Sequence, residues 1–263
     1  MVSCRIASFT PTQYPYLSET QRLYAKDVEC PVEWKDWIDK GGVIPSSCCP
    51  YSSKDILQHM PASARVETLM CYLGIGDTYT PCHKDLCASS GQNLMCYTEN
   101  NASAFWFMTQ SCSAPAVAKY FHTLKQDLDL ESYTITVAEM AKAPFDVYIA
   151  EQKLGDFVLV PPRSCHQVVN SGGLTIKMSW SRMTIKGAET ALYHELPIYR
   201  RQVDHVCRVE TYRVKSNVHH ALLHRVDQLE RFLTHPGHSE SDGTGPLECP
   251  QSVTSSPFVY LRI

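Results

Sequence analysis

The chain has 263 residues, 44% of them hydrophobic, with twelve glycines and a net charge of −3. That is enough apolar material for one large core, and the small net charge argues against a strongly basic nucleic-acid or membrane surface. No apolar run approaches the roughly 20 residues of a membrane span, and MVSCRIASFTPTQ lacks the basic and then apolar start of a signal peptide.

In chain order, residues 1–50 read as an irregular or helical lead-in, punctuated by Pro11, Pro15, Pro31 and Pro45 around one short apolar piece at Trp34 and Trp37. Ser52 or Ser53 is placed to cap a helix running to His59. Residues 51–185 form the core. Strand formers at short spacing predict strands near 64–73, 79–83, 93–97, 104–109, 133–136, 145–151, 156–160, 166–169 and 174–181. Helices are predicted over 114–125 and over 137–142, the second stopping before Pro144. Residues 186–235 read as C-terminal helices, 188–196 and 203–233, that pack on the core through a stripe of Leu222, Val226, Leu229 and Leu233. Residues 236–263, rich in Gly, Ser and Pro, read as a flexible tail. The fold class is mainly β with flanking helices, a barrel or sandwich. Twelve cysteines scatter from Cys4 to Cys249 with no C-x-x-C, and several sit in apolar runs as small hydrophobes. That pattern reads as a reduced, intracellular chain.

His83-Lys84-Asp85 raises the question of a metal site. H-x-D is too short to stand alone: His238-Ser239-Glu240 is also His-x-acid and falls in the tail. Context comes from LGDFVLVPPRSCHQVVN, 154–170. Gly155-Asp156 makes a turn, Phe157 to Val160 a short strand, and Pro161-Pro162 stops it before a loop that delivers His166. Two imidazoles and a carboxylate on one face of Fe(II) leave three positions open for a bidentate cosubstrate and O₂. A spacing of two on a strand sends His83 and Asp85 to the same side. Taken singly, His166 also fits a hydrogen-bonded core histidine, and Asp85 a helix cap. Cys82 and Cys165, each just before a histidine, should point away from the metal.

These motifs resemble cupin-type, double-stranded β-helix oxygenases. More narrowly, ARVETLMCYLGIGDTYTPCHKDLCASSGQNLM and APFDVYIAEQKLGDFVLVPPRSCHQVVNSGGLTIKMSWSR resemble the JmjC domain of fungal chromatin proteins, over roughly residues 30–215. The resemblance implies a JmjC barrel binding Fe(II) through His83, Asp85 and His166, with 2-oxoglutarate as cosubstrate. It implies decarboxylation of 2-oxoglutarate to succinate and hydroxylation of an N-methyl group, which leaves as formaldehyde. The substrate class it implies is a histone tail or other chromatin protein, in the nucleus and within a larger chromatin protein or complex. Thr80 matches a cosubstrate-contacting Thr, Asn93 a polar residue beside the cosubstrate, and Tyr72 a Tyr lining a methyl-lysine pocket. Each has a plainer reading: Thr80 in a turn, Asn93 as a strand cap, Tyr72 in the core.

One departure stands out. JmjC demethylases usually hold the distal carboxylate with a Lys on the strand after H-x-D, and here Ser103 falls near that position. No Lys lies between Lys84 and Lys119. A dianion in a dry barrel needs a cation. In LTIKMSW, alternation puts Thr175, Lys177 and Ser179 on one face and Ile176, Met178 and Trp180 on the other. Lys177 is therefore the expected anchor, against the alternative of a solvent-facing lysine. His219, His220 and His224, with Cys207, are a weaker candidate zinc cluster that fits an ordinary helix face better. Two other functions stay open: a JmjC hydroxylase of a protein side chain, and a catalytically weak JmjC module that regulates chromatin by binding.

Overall fold

The computed structural model describes residues 3–8, 21–40, 44–201, 212–234 and 260–262. The strands are β1 (Ser3–Ser8), β2 (Gln21–Glu29), β3 (Met70–Gly74), β4 (Tyr79–His83), β5 (Ser90–Thr98), β6 (Ser103–Met108), β7 (Tyr148–Gln152), β8 (Asp156–Val160), β9 (His166–Ser171), β10 (Thr175–Arg182) and β11 (Tyr260–Arg262). The helices are α1 (Val32–Lys40), α2 (Ala114–Thr123), α3 (Val137–Met140), α4 (Ile185–Thr190), α5 (Leu196–Arg201) and α6 (Val214–Thr234), with a π-turn at Ala191–Glu195 between α4 and α5.

Two antiparallel sheets make the body. One runs β1-β2-β3-β10-β5-β8-β11, the other β4-β9-β6-β7. They face each other across Met95, Ala104, Trp106, Met108, Val158, Val160 and Val168, which are contributed by β5 and β8 of the large sheet and β6 and β9 of the small one. Outside the large sheet, Ile38 of α1 packs with Leu94, Phe157, Met178 and Trp180. Outside the small sheet, Val117 and Phe121 of α2 cover Cys82 and Cys165, so these cysteines point away from the interior as alternation requires. Burial drives both thiols up, Cys165 to about 12. Phe157 is fully buried and stacks on Trp180 at 5.6 Å between centroids. Phe157→Ala is expected to cost about 3–5 kcal/mol, read as a shift of the denaturant midpoint. A cost under about 1 kcal/mol would mean that the cavity collapses.

Several expectations need correction. Residues 1–50 are not simply an irregular or helical lead-in, because β1 and β2 extend the large sheet, with β2 paired to β3. The tail is not wholly without structure: Tyr260–Arg262 pairs with β8, while 235–259 lie outside the described residues. The turn before β3 is capped by Asp55, not Ser52 or Ser53. Its buried carboxylate accepts from the backbone N–H of Leu57, Tyr51 and Met183 and starts a short 3-10 turn, Ile56–His59. Residues 64–69 stay outside the ladder, since the pairings of β3 with β2 and β10 begin at Met70.

No strand forms at 133–136. There the Gln167 side chain takes the place of a neighbouring strand: its Oε1 accepts from Ile135 N and its Nε2 donates to Ile135 O. The expected helix over 203–233 is described from Val214, and 203–211, with Cys207, lie outside the described residues. Nor does its apolar stripe pack on the body. Leu222, Val226, Leu229 and Leu233 are each at least half exposed. The helix is held by its first turns, where Val214 and Asn217 are buried, and by His224 stacked on His59 at 4.5 Å. That stack and the packing of His219 on His220 fit the helix-face reading over zinc.

Candidate metal centre

β4 and β9 are neighbours, and their register sets His83 directly opposite His166. A bulge between Thr80 and His83 brings this about and re-aims side chains at the strand end. The two imidazole rings lie 4.2 Å apart. His83 Nδ1 sits 2.8 Å from Pro81 O, and His166 Nδ1 sits 3.1 Å from Ser164 O. Donation to those carbonyls fixes the Nδ1–H tautomer on both rings and leaves the lone pairs on Nε2 for a ligand. Trp106 stacks on His166 at 5.8 Å and 23°, and its Nε1 donates to Gln152 Oε1 at 2.8 Å. Gln152 Nε2 in turn donates to Asn93 Oδ1 at 3.1 Å. One chain of contacts thus ties the His166 ring plane to β7 and β5.

Asp85 follows β4. It occupies the cap position of a short turn, Leu86–Ala88, yet its side chain makes no capping hydrogen bond. Instead it turns to the histidines, with Oδ1 3.9 Å from His166 Nε2. Its Oδ2 is buried without a hydrogen-bond partner, which is costly for a carboxylate. Burial raises the Asp85 pKa, and His166 opposes the shift. Ligand atoms of His83, Asp85 and His166 all lie within 4.8 Å of one another, and no other such group of three occurs among the described residues. A buried, orphaned carboxylate oxygen beside two oriented imidazoles is what a divalent cation would satisfy. The set of two His and one carboxylate suits Fe(II).

The triad opens into a cavity between the sheets that is also lined by Thr80, Asn93, Tyr72 and Lys177. All seven residues singled out from the sequence therefore come together. Lys177 is 2% exposed, and its Nζ donates to Asn170 Oδ1 at 2.5 Å. Burial alone drives its pKa down to about 7. Thr175 and Ser179 keep to its side of β10, whereas Met178 and Trp180 enter the outer core. Ser103 does not line this cavity. Tyr72 donates to Asp27 Oδ1 at 2.5 Å, and burial carries its pKa well above the ordinary value.

Sequence reasoning missed Tyr24 and Lys26 of β2, Gly91, and Trp106. Tyr24 Oη lies 3.1 Å from Thr80 Oγ1, and burial raises its pKa to about 12. Gly91 could have been found as the small residue on the strand facing the H-x-D turn. Tyr24 had no apolar pattern around it. A second, outer cavity meets the same centre at His83 and Asp85; Asp27, Glu67, Glu131, Lys26, Tyr72 and Tyr212 stand in its walls.

Facing antiparallel sheets, with His83 at the end of β4, Asp85 just past it and a distant His opposite on β9, define a cupin-type, oxygenase-like protein. Residues 70–181 match the family described as "JmjC domain, hydroxylase", and the chain carries a JmjC domain over that span. The chain is also 34% identical over 204 residues to C-module-binding factor A of Dictyostelium discoideum, an alignment covering 77% of this chain and 20% of that protein. The chain thus spans about a fifth of the length of that relative. Among the described residues, no helix is long and apolar enough to cross a membrane.

Proposed function

We propose that the chain is an Fe(II)- and 2-oxoglutarate-dependent dioxygenase that demethylates a histone lysine or a similar chromatin substrate in the nucleus, within a larger chromatin protein or complex. The observation that carries the reading is Lys177. A buried Lys177 amine that makes no ion pair with a carboxylate among the described residues opens into the same cavity as the triad. A buried charge without a counter-ion is expensive, and a dicarboxylate cosubstrate would supply one. His83, Asp85 and His166 would hold the metal, which when bound supplies the O₂ chemistry of non-haem iron. Lys177 would bind the distal carboxylate, with Thr80 and Asn93 at the cosubstrate's flank. Val160, Val168 and Trp106 give the cavity an apolar wall, with Trp106 stacked on His166.

The outer cavity supports a cationic substrate. Asp27, Glu67 and Glu131 line it along with Lys26 and Lys84, whose ammonium is already paired with Glu195 and Asp129, and Tyr72 and Tyr212 add aromatic wall of the kind that receives alkylammonium groups.

The test is Fe(II)-dependent conversion of 2-oxoglutarate to succinate, with methylated and unmethylated histone peptides. Demethylation predicts peptide-stimulated succinate with matching formaldehyde. Succinate without formaldehyde would favour the side-chain hydroxylase. No succinate and no 2-oxoglutarate binding would sink the enzyme and leave a binding module.

A further inference from the structure

The residue between the two H-x-D ligands has its own network. Lys84 is 4% exposed; its Nζ donates to Glu195 Oε2 at 2.8 Å and lies 3.3 Å from Asp129 Oδ1. Arg163 belongs to the loop between β8 and β9, in the left-handed region at φ 65°, and its Nε donates to the other Glu195 oxygen at 2.9 Å. Glu195 is fully buried and ends the π-turn between α4 and α5, beyond the matched family span of 70–181. One carboxylate therefore grips the turn that carries His83 and Asp85 with one oxygen, and the loop that delivers His166 with the other. The same helical segment supports the turn again, where Cys87 N donates to Tyr199 Oη at 2.9 Å. That support falls where Cys87 and Ala88 hold φ values of 55° and 50°, a conformation that costs non-glycine residues energy.

Two cations, Lys84 and Arg163, meet two anions, Glu195 and Asp129, so the charge balances. A buried cluster of this kind is a poor source of net stability compared with apolar packing. What it does supply is fixed geometry, and π-turns recur at functional sites. We propose that Glu195 is a positioning residue of the metal centre: it sets the separation of the two ligand-bearing loops and thereby the metal affinity. This rests on the metal reading of His83, Asp85 and His166.

The experiment measures Co(II) binding, as a coloured stand-in for Fe(II), to the whole chain and its variants. Glu195→Gln keeps the shape and removes the charge. It is expected to raise the Co(II) dissociation constant about 10–100-fold, the usual effect of losing a partner behind the ligands, and to shift the d–d absorption bands. Arg163→Gln frees one loop only and should give a smaller rise. Added to Glu195→Gln, it should give no further rise, because both act through one contact. A folded Glu195→Gln variant with the wild-type spectrum and a dissociation constant within about twofold overturns the proposal. If that variant does not fold, Arg163→Gln decides: an unchanged constant and spectrum overturn it. Absence of Co(II) binding by the wild type overturns the metal reading itself and this proposal with it.

Discussion

Lys177→Met is expected to abolish measurable 2-oxoglutarate binding while raising the melting temperature of the ligand-free protein at neutral and acid pH. The two effects share one cause. The folded protein holds the Lys177 pKa at about 7, against an ordinary 10.5, because burial disfavours the ammonium. Between those two values the unfolded chain binds a proton that the folded chain does not. Stability therefore falls as the pH drops through that window, and the loss is complete below about 7. Met fills the space without that cost, so its advantage in melting temperature should grow from pH 10 towards pH 7 and then level off. Binding runs the other way. Truncating one partner of a buried charge pair costs about 3–5 kcal/mol, more than a hundredfold in affinity. In the wild type, the bound carboxylate supplies the missing countercharge, so binding above pH 7 takes up a proton and affinity should fall as pH rises. Calorimetric titration with 2-oxoglutarate across pH 6–9, beside thermal melts, reads both. Unchanged affinity in Lys177→Met would place the carboxylate elsewhere.

How far the site was legible follows from which signals survive in sequence. The metal triad was legible because its parts are local. H-x-D closes a strand, though β4 ends at His83 and Asp85 reaches the histidines from the turn that follows and not from the strand period expected of it, and His166 follows a strand that two prolines stop. Lys177 was legible because β10 keeps strict alternation: the same face carries Thr175 and Ser179, and the other carries Met178 and Trp180. β2 was not. In QRLYAKDVE the residues that line the cavity, Tyr24 and Lys26, are polar or amphipathic, so a polar interior lining erases the apolar-in pattern on which strand reading depends. The supposed strand at 133–136 failed for another reason. Its residues suit a strand, but Gln167 satisfies the Ile135 N–H and C=O from a distant position. The stripe on α6 has helical spacing, yet spacing says nothing of what it faces, and here it faces outward. Glu195 shows the same limit: an acidic residue in a helical stretch gave no sign of the two loops it joins.

Gly91→Ala is expected to cost the protein most of its metal affinity and little of its stability. β5 passes so close to the H-x-D turn that an added Cβ at Gly91 would lie 2.4 Å from Asp85 Oδ2 and 3.2 Å from the Val160 Cβ. Gly91 pairs with Val160 in the ladder and is not among the glycines with positive φ, so its backbone accepts alanine. Removing a glycine there even reduces the freedom of the unfolded chain, a gain of about 0.4–1 kcal/mol. The conflict falls on the carboxylate. The Asp85 carboxylate is the group that must move to relieve it, and in moving it leaves the two histidines without their carboxylate. Disturbing a residue behind the ligands costs about 10–100-fold in metal affinity, and displacing a ligand outright should exceed that range. The check is a pair of Co(II) titrations, Gly91→Ala alone and with Asp85→Ala. If alanine acts by expelling the carboxylate, removing that carboxylate adds almost nothing, and the two changes are strongly non-additive. If Gly91→Ala binds Co(II) as the wild type does, the carboxylate is not held where β5 can reach it, and the third ligand position must be assigned again.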